Sequence, residues 1–321
     1  MLEVVQQAFS CVMILVLMGL IGYVLERRGW FPLEIKTVWP KLVIVISVPP
    51  YLFSYIFKTF TRDDLLPLLY GSVAPAISIV VTFFIGLALS RLIGVQKGRR
   101  GIFCAGFPTS NTMFMGIPVN IALFGEAALP YVLLYYFANT ILFWTLGNYL
   151  ISLDGQKAPV KFLSPDLFKK VFSPPILGFL AGTLAVLLNL NPPMFLLEAA
   201  TYVGGLTTPM AIMFIGITIA TVNFKTLKLN RDILALLAGR FVICPLSIIL
   251  IMRLFDLPVL MGKVFVIQAS LPMMTGVALV AAYHQADTEY ASTTVSISTL
   301  ASIITIPLYM IFLSLYYPGS N

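Results

Sequence analysis

One stretch of the sequence places helix-breaking residues around small polar side chains in an apolar setting. Residues 107–118 read FPTSNTMFMGIP, so Pro108, Gly116 and Pro118 flank the run Thr-Ser-Asn-Thr. A proline inside a helix removes one backbone hydrogen bond and frees the carbonyl four residues earlier. The half-helix after such a break starts with amide N–H groups that carry partial positive charge, which attracts anions.

A second stretch repeats this pattern later in the chain. In LPMMTG (residues 271–276), Pro272 is followed by Thr275 and Gly276, and it lies 164 positions after Pro108. Two broken helices that face each other at the membrane midplane would together form an anion-binding site. The alternative, that these prolines only kink their helices, stays open.

Three polar residues in these apolar segments are candidates for substrate contact. Asn111 comes first, with Thr112 beside it, because a carboxamide offers both donors and acceptors to a carboxylate or to an unwound backbone. Asn139, in the next apolar segment, is the third candidate. For both asparagines a structural hydrogen bond between helices is the alternative.

Arg240 and Tyr51 complete the candidate site. Arg240 is the one basic residue well inside an apolar segment, and an intramembrane charge is costly and usually functional. It could attract a substrate carboxylate, or it could cap the carbonyls of the broken helices or reach the membrane surface. Tyr51 could line a cavity, although most aromatic residues in such proteins face lipid or the interface.

The residue types that are missing narrow the chemistry. No Asp or Glu lies at the middle of an apolar segment, and the chain has one histidine, His284, and no paired cysteine motif. An enzyme, a metal site and a bound cofactor are therefore not expected, and a carboxylate proton relay is disfavoured. Sodium coupling stays open, because hydroxyls and carbonyls suffice as ligands. His284 is expected to be solvated at the end of its segment.

The elements that carry these residues follow from composition. The chain has 321 residues, of which 59% are hydrophobic and 10% charged, and its mean hydropathy is +0.97. This excludes a soluble enzyme, a nucleic-acid binder and a disordered scaffold. The apolar runs predict an all-α membrane protein of ten transmembrane helices. The predicted spans are 8–25, 39–57, 67–90, 101–123, 129–152, 174–189, 194–221, 232–252, 259–283 and 291–316.

Five spans lie on each side of the longest polar stretch. This divides the chain into a first repeat (1–152), a cytoplasmic linker (153–173) and a second repeat (174–321). An odd number of spans per half gives the halves opposite topology, which is typical of inverted-repeat transporters. Pro49 and Pro209 are expected to interrupt spans two and seven, and their separation of 160 positions supports the repeat.

The basic residues predict the orientation. Of the 20 Lys and Arg residues, 15 lie in or within a few residues of the loops after spans one, three, five and seven, and four lie in or within a few residues of the loops after spans two, four, six and eight. By the positive-inside rule the first set is cytoplasmic, so both termini lie on the other side. The lipid bilayer, as a bacterial cytoplasmic membrane, is the expected location.

Two segments resemble the auxin efflux carrier family. NTMFMGIPVNIALFGEAAL (111–129) is similar to the family's crossover signature, and LPMMTGVALVAAYHQAD (271–287) is similar to its ninth span. On this resemblance Asn111 and Pro118 match the crossover asparagine and proline, and Pro272 matches the proline of the ninth span. The family includes plant PIN-type carriers and bacterial permeases for malonate, malate and similar organic acids.

The resemblance implies a fold related to the bile-acid/sodium symporters. Spans one, two, six and seven would form a scaffold, and the others a mobile core in which spans four and nine are broken and cross, moving substrate like an elevator. The plant-type second crossover proline is absent near Ala278, and residues 67–90 carry no charge. A bacterial carrier of a small mono- or dicarboxylate is therefore favoured over an auxin carrier.

The sequence is compatible with two other functions. One is a sodium-coupled symporter of an amphipathic, bile-acid-like substrate, and the other is a membrane sensor that binds a ligand without moving it. The expected partners are a small organic anion and lipid, with sodium and a homodimer left open and nucleic acid excluded.

Overall fold

A computed structural model describes residues 2–32, 35–156, 172–221 and 229–316, and within these residues the chain is almost entirely helical. The helices of this part are α1 (Leu2–Arg27), α2 (35–59), α3 (Arg62–Gly71), α4 (Val73–Leu92), α5 (Arg100–Gly106), α6 (Thr112–Phe124), α7 (Glu126–Asp154), α8 (Pro174–Leu187), α9 (Met194–Ala220), α10 (Arg231–Met252), α11 (Val259–Ala269), α12 (Gly276–His284) and α13 (Thr288–Tyr316). The predicted linker 153–173 lies largely outside the described residues.

Six helices in the described part are long and apolar enough to cross a membrane. They comprise residues Leu42–Thr59 of α2 and the whole of α4, α7, α9, α10 and α13. Three shorter apolar helices, α6, α8 and α11, accompany them. The molecule is therefore an integral membrane protein by the length and composition of its helices.

The predicted breaks in the fourth and ninth apolar segments are present. Residues 107–111 separate α5 from α6, and residues 270–275 separate α11 from α12. Each break contains its predicted proline, and α5, α11 and α12 are each at most 11 residues long. The helices on either side are consequently too short to cross the bilayer alone.

The predicted interruption of the second segment is wrong, because α2 continues through Pro49. A wide, π-type turn, Leu42–Ser47, comes just before this proline. The same turn precedes Pro118 in α6 (Thr112–Gly116) and Pro245 in α10. A wide turn shifts the register of the backbone hydrogen bonds. The helix can therefore continue although proline has no N–H group to donate. In the seventh segment, α9 bends at Leu206 and continues.

Glycines bring two pairs of helices into close contact. A Cβ on Gly22 of α1 would overlap the backbone of Met213 in α9, and a Cβ on Gly178 of α8 would overlap the backbone of Pro49 in α2. Small residues allow such backbone approach in membranes, where packing rather than the hydrophobic effect drives helix association. Each pair joins one helix from before residue 153 with one from after residue 173.

The remaining helices surround the two breaks. Helix α4 packs on α10, where Ser78 and Ser247 share a hydrogen bond of 3.2 Å. The ring of Phe107, in the first break, fits between Gly86 of α4 and Gly239 of α10. Helices α7 and α13 lie against the breaks from other sides, so the irregular backbone is enclosed by protein.

Candidate functional site

The two breaks cross and pair with each other. The N–H of Asn111 donates to the carbonyl of Pro272 at 2.9 Å, and the N–H of Met274 donates to the carbonyl of Thr109 at 3.1 Å. Ser110 and Met273 form an antiparallel bridge between them. Backbone groups that leave the helical ladder inside a membrane protein must find partners, and here each break satisfies part of the other.

Asn139 of α7 holds the first break in place. Its Oδ1 accepts from the N–H of Ser110 at 2.9 Å, and its Nδ2 donates to the carbonyl of Ser110 at 3.1 Å. Asn139 is fully buried, and its Nδ2 also lies 3.5 Å from the hydroxyl of Thr112. The sequence left open whether Asn139 contacts substrate or forms a structural hydrogen bond. These contacts match the structural hydrogen bond.

Ser298 of α13 has the equivalent role at the second break. Its hydroxyl accepts from the N–H of Met273 at 3.1 Å. Ser110 and Met273 are the two bridged residues, so each break is held at its centre by one side chain from the second helix after it. Ser298 was not predicted as a site residue. The sequence contained one signal for this role. Ser298 lies 159 positions after Asn139, close to the separations of 164 and 160 positions between the corresponding prolines of the two halves.

Arg240 of α10 caps both broken helices. Its Nη1 donates to the carbonyl of Phe107 at 2.9 Å, and its Nη2 donates to the carbonyl of Ala269 at 2.6 Å and to the hydroxyl of Ser110 at 2.7 Å. These carbonyls lie at the C-terminal ends of α5 and α11, where the helix dipole is negative. The guanidinium is completely buried. Of the predicted alternatives, the structure places Arg240 as a cap for carbonyls.

Asn111 lies at the start of α6, and its side chain is uncommitted, meaning that it forms no hydrogen bond with the described residues. Asn111 is 6% exposed, and its side chain caps no N–H of α6 and has no partner among the described residues. The first N–H groups of a helix have no carbonyl one turn back to bond. A carboxamide next to such N–H groups is suited to bind a carboxylate.

Thr275 and Gly276 stand at the start of α12 in the same way. The half-buried Thr275 makes no side-chain cap, and its hydroxyl has no partner among the described residues. Gly276 is buried, and a Cβ there would lie 3.2 Å from Phe143 and from Met274. The predicted residues Asn111, Thr112, Thr275 and Gly276 therefore flank one crossing.

Three predicted residues have other surroundings. Pro108 lies in the first break, while Pro118 lies inside α6 after its wide turn. Tyr51 of α2 packs on Gly204 of α9, and its hydroxyl faces the Glu126 carboxylate. Tyr51 therefore belongs to the contact between α2 and α9.

A predominantly apolar cavity of about 260 Å³ lies beside α6. It is bounded by α1 and α9 on one side and by α6 and α13 on the other. Met115 and Val119 line it, and Asn111 lies one further turn toward the break on the same side of α6. The cavity is thus about one turn of α6 away from Asn111.

The expectation for His284 is wrong. His284 is 1% exposed, and its Nε2 is hydrogen-bonded to Oδ1 of Asn148 at 3.0 Å. The C-terminal end of α12 packs against α7, and this contact covers the imidazole ring. Among the described residues, no group of three His, Cys, Asp or Glu side chains is arranged to hold a metal ion.

Comparison with known proteins gives the family. The profile described as "Membrane transport protein" (Mem_trans) matches residues 8–310. The chain is 26% identical over 298 residues to an "Uncharacterized transporter" of Methanothermobacter thermautotrophicus, covering 92% of this chain and 94% of the relative. It is 26% identical over 312 residues to a "Putative malonate transporter" of Rhizobium meliloti, covering 93% and 95%.

The resemblance predicted from residues 111–129 and 271–287 is thereby confirmed. With nearly its whole length matched, the chain belongs to the Mem_trans family of membrane transport proteins, the auxin efflux carrier family.

Proposed function

We propose that the protein is a secondary transporter for a small organic anion, a mono- or dicarboxylate such as malonate or malate. The observation that carries this proposal is the crossing of two broken helices with Asn111 uncommitted at the start of α6. Partial positive charge at the starts of α6 and α12 favours a carboxylate there. A relative carries the name "Putative malonate transporter", which fits this substrate class.

The transport movement in this proposal is of the elevator type. Ten spans in two inverted halves, with 153–173 between them, would provide a scaffold (α1, α2, α8, α9) and a mobile core. The glycine contacts between α1 and α9 and between α2 and α8 each join the first span of one half to the second span of the other, which supports a scaffold built symmetrically from both halves. Arg240, Asn139 and Ser298 would hold the crossing rigid, so that the site moves as one body.

The carboxylate would contact the start of α6 through Asn111 and Thr112, and the start of α12 through Thr275 and Gly276. Arg240 contributes indirectly, because its hydrogen bonds fix the backbone on which these residues lie. Its positive charge also lowers the electrostatic cost of bringing an anion near the crossing.

Replacement of Asn111 tests the proposal. We expect Asn111→Ala to abolish uptake of radiolabelled malonate into proteoliposomes, or of whichever mono- or dicarboxylate the wild type carries, with unchanged expression and thermal unfolding. Asn189→Gly is the matched control, since Asn189 is an exposed asparagine with φ of 50°, a conformation that glycine adopts readily. Wild-type uptake by Asn111→Ala would remove Asn111 from the binding site.

The apolar cavity supports a second candidate substrate class. Its walls, about one turn of α6 from Asn111, suit the hydrocarbon part of an amphipathic monocarboxylate better than a dicarboxylate. If this class is carried, decanoate will compete for uptake more strongly than malonate does. Binding of either acid without counterflow would instead indicate a sensor.

A further inference from the structure

Two buried carboxamides near the crossing have oxygen atoms without hydrogen-bond partners. Asn120 of α6 and Gln268 of α11 are both 0% exposed. Oδ1 of Asn120 and Oε1 of Gln268 accept no hydrogen bond from the described residues. Burial of an unpaired polar atom is costly, so two such atoms on neighbouring helices point to a common ligand.

The orientation of both carboxamides is determined by their nitrogen atoms. Nδ2 of Asn120 donates to the carbonyl of Gly116 at 2.7 Å, and Nε2 of Gln268 donates to the carbonyl of Val132 at 3.4 Å. If either group were turned over, its oxygen would face a carbonyl oxygen. Both uncommitted atoms are therefore acceptors, and neither can be exchanged for a donor.

Both side chains meet at Gly116. Asn120 is bonded to its carbonyl, and a Cβ on Gly116 would overlap the carboxamide of Gln268. The absence of a side chain at this position allows Gln268 to approach the backbone of α6. Two uncommitted oxygen atoms, one from each half of the crossing, are thus held against the same residue.

The chemistry of this pair selects a small cation. Neutral oxygen ligands repel an anion and suit hard cations. Helices α6 and α11 contain no Asp or Glu, so the charge of a divalent ion would be left without compensation. We propose that Asn120 and Gln268 form a binding site for a sodium ion between α6 and α11.

This site is connected with the start of α6 by one residue, Gly116. The carbonyl of Gly116 is held by Asn120, and its N–H donates to the carbonyl of Asn111 at 3.1 Å. A cation bound there stabilises the first turn of α6 and its contact with α11. If the proposed anion transport is correct, sodium and the carboxylate each increase the affinity for the other, since such coupling is reciprocal.

Sodium binding can be measured without any anion. We would measure equilibrium binding of ²²Na⁺ to the purified protein in choline buffer, together with thermal unfolding in sodium, potassium or choline chloride. We expect saturable ²²Na⁺ binding and a higher Tm in sodium. In Asn120→Leu and in Gln268→Met the dissociation constant should rise by about tenfold or more, as expected for losing a dipole that contacts a charge.

Two further variants separate a lost ligand from a folding defect. Thr294→Val removes a buried hydroxyl that is bonded to the carbonyl of Tyr290, away from this pair, and should leave sodium binding unchanged. Asn120→Asp places a charged oxygen at the same position and should bind sodium at least as tightly as the wild type.

Several outcomes would overturn the inference. Absence of saturable ²²Na⁺ binding to a wild-type protein that still transports a carboxylate would mean that the pair holds only water. Unchanged binding in Asn120→Leu and Gln268→Met would place the ion elsewhere. The anion proposal fails separately, if ²²Na⁺ binds at this pair and no carboxylate is carried.

Discussion

At the scale of single residues, Arg240 combines complete burial with a full positive charge. The cost of burying the charge is offset by three acceptors, the carbonyls of Phe107 and Ala269 and the hydroxyl of Ser110. Two of these acceptors are backbone carbonyls at the ends of half-helices, since Phe107 directly follows α5 and Ala269 is the last residue of α11. Carbonyls at such positions lack a donor in their own helix. The guanidinium thus replaces backbone donors that the two breaks removed.

Arg240→Met should destabilise the protein. The substitution leaves the buried carbonyl of Ala269 without this donor and that of Phe107 with only the weak thiol donor of Cys244, and we expect a loss of about 1.5–3 kcal/mol in the free energy of unfolding. Thermal unfolding in detergent measures this, and Arg253→Met is the control because Arg253 is exposed. Normal stability with a raised KM for uptake would indicate that Arg240 binds substrate instead.

At the scale of elements, the broken helices depend on glycine for their contact. Helix α6 approaches α11 at Gly116, where the carboxamide of Gln268 occupies the space that a Cβ would need. The prolines explain why the helices break, and the neighbouring helices α7, α10 and α13 explain how the breaks remain ordered.

Gly116→Ala should therefore destabilise the crossing. We expect a loss of about 1–3 kcal/mol from overpacking, with reduced uptake, because Gln268 must move. Gly205→Ala is the matched control: Gly205 is a helical glycine with open space around its Cβ position, so alanine there should stabilise by about 0.5–1 kcal/mol. Equal stability of the two variants in thermal unfolding would contradict the contact with Gln268.

At the scale of the whole molecule, the apolar cavity lies on the boundary between the proposed scaffold and core. Its walls come from α1 and α9 on one side and from α6 and α13 on the other. Along these walls no hydrogen bond or ion pair joins the two sides among the described residues, although elsewhere on the boundary Tyr136 of α7 is bonded to Ser173 beside α8. A contact of this apolar kind costs little to slide, which suits the proposed movement.

Cross-linking across this boundary tests the movement. We expect a thiol cross-linker to block uptake by the Val119→Cys/Ile212→Cys variant, and reduction to restore it, because the link joins α6 to α9. In Ser47→Cys/Val203→Cys the link joins α2 to α9 within the scaffold, where Ser47 is bonded to the carbonyl of Val203, and uptake should persist. Full uptake with α6 linked to α9 would contradict an elevator.

Orientation in the membrane is tested with single cysteines at exposed positions. Lys97→Cys should react with an impermeant maleimide only after permeabilisation, because basic loops are cytoplasmic. Arg253→Cys should react in intact cells, since Arg253 follows the eighth of the ten proposed spans. The opposite labelling would invert the proposed topology, and the buried Cys104 and Cys244 should stay unlabelled.

Local chemistry made much of this protein predictable from its sequence. Apolar runs of sufficient length specify helices because backbone groups have no other partner in a bilayer, and Pro108 and Pro272 locate the breaks because each removes a helical hydrogen bond. The partners of buried polar groups were not predictable, since Arg240 reaches a carbonyl 133 residues away. Whether Asn139 holds a backbone, Asn111 stays uncommitted or Gln268 meets Asn120 depends on which helices pack together, and the tertiary structure alone decided that.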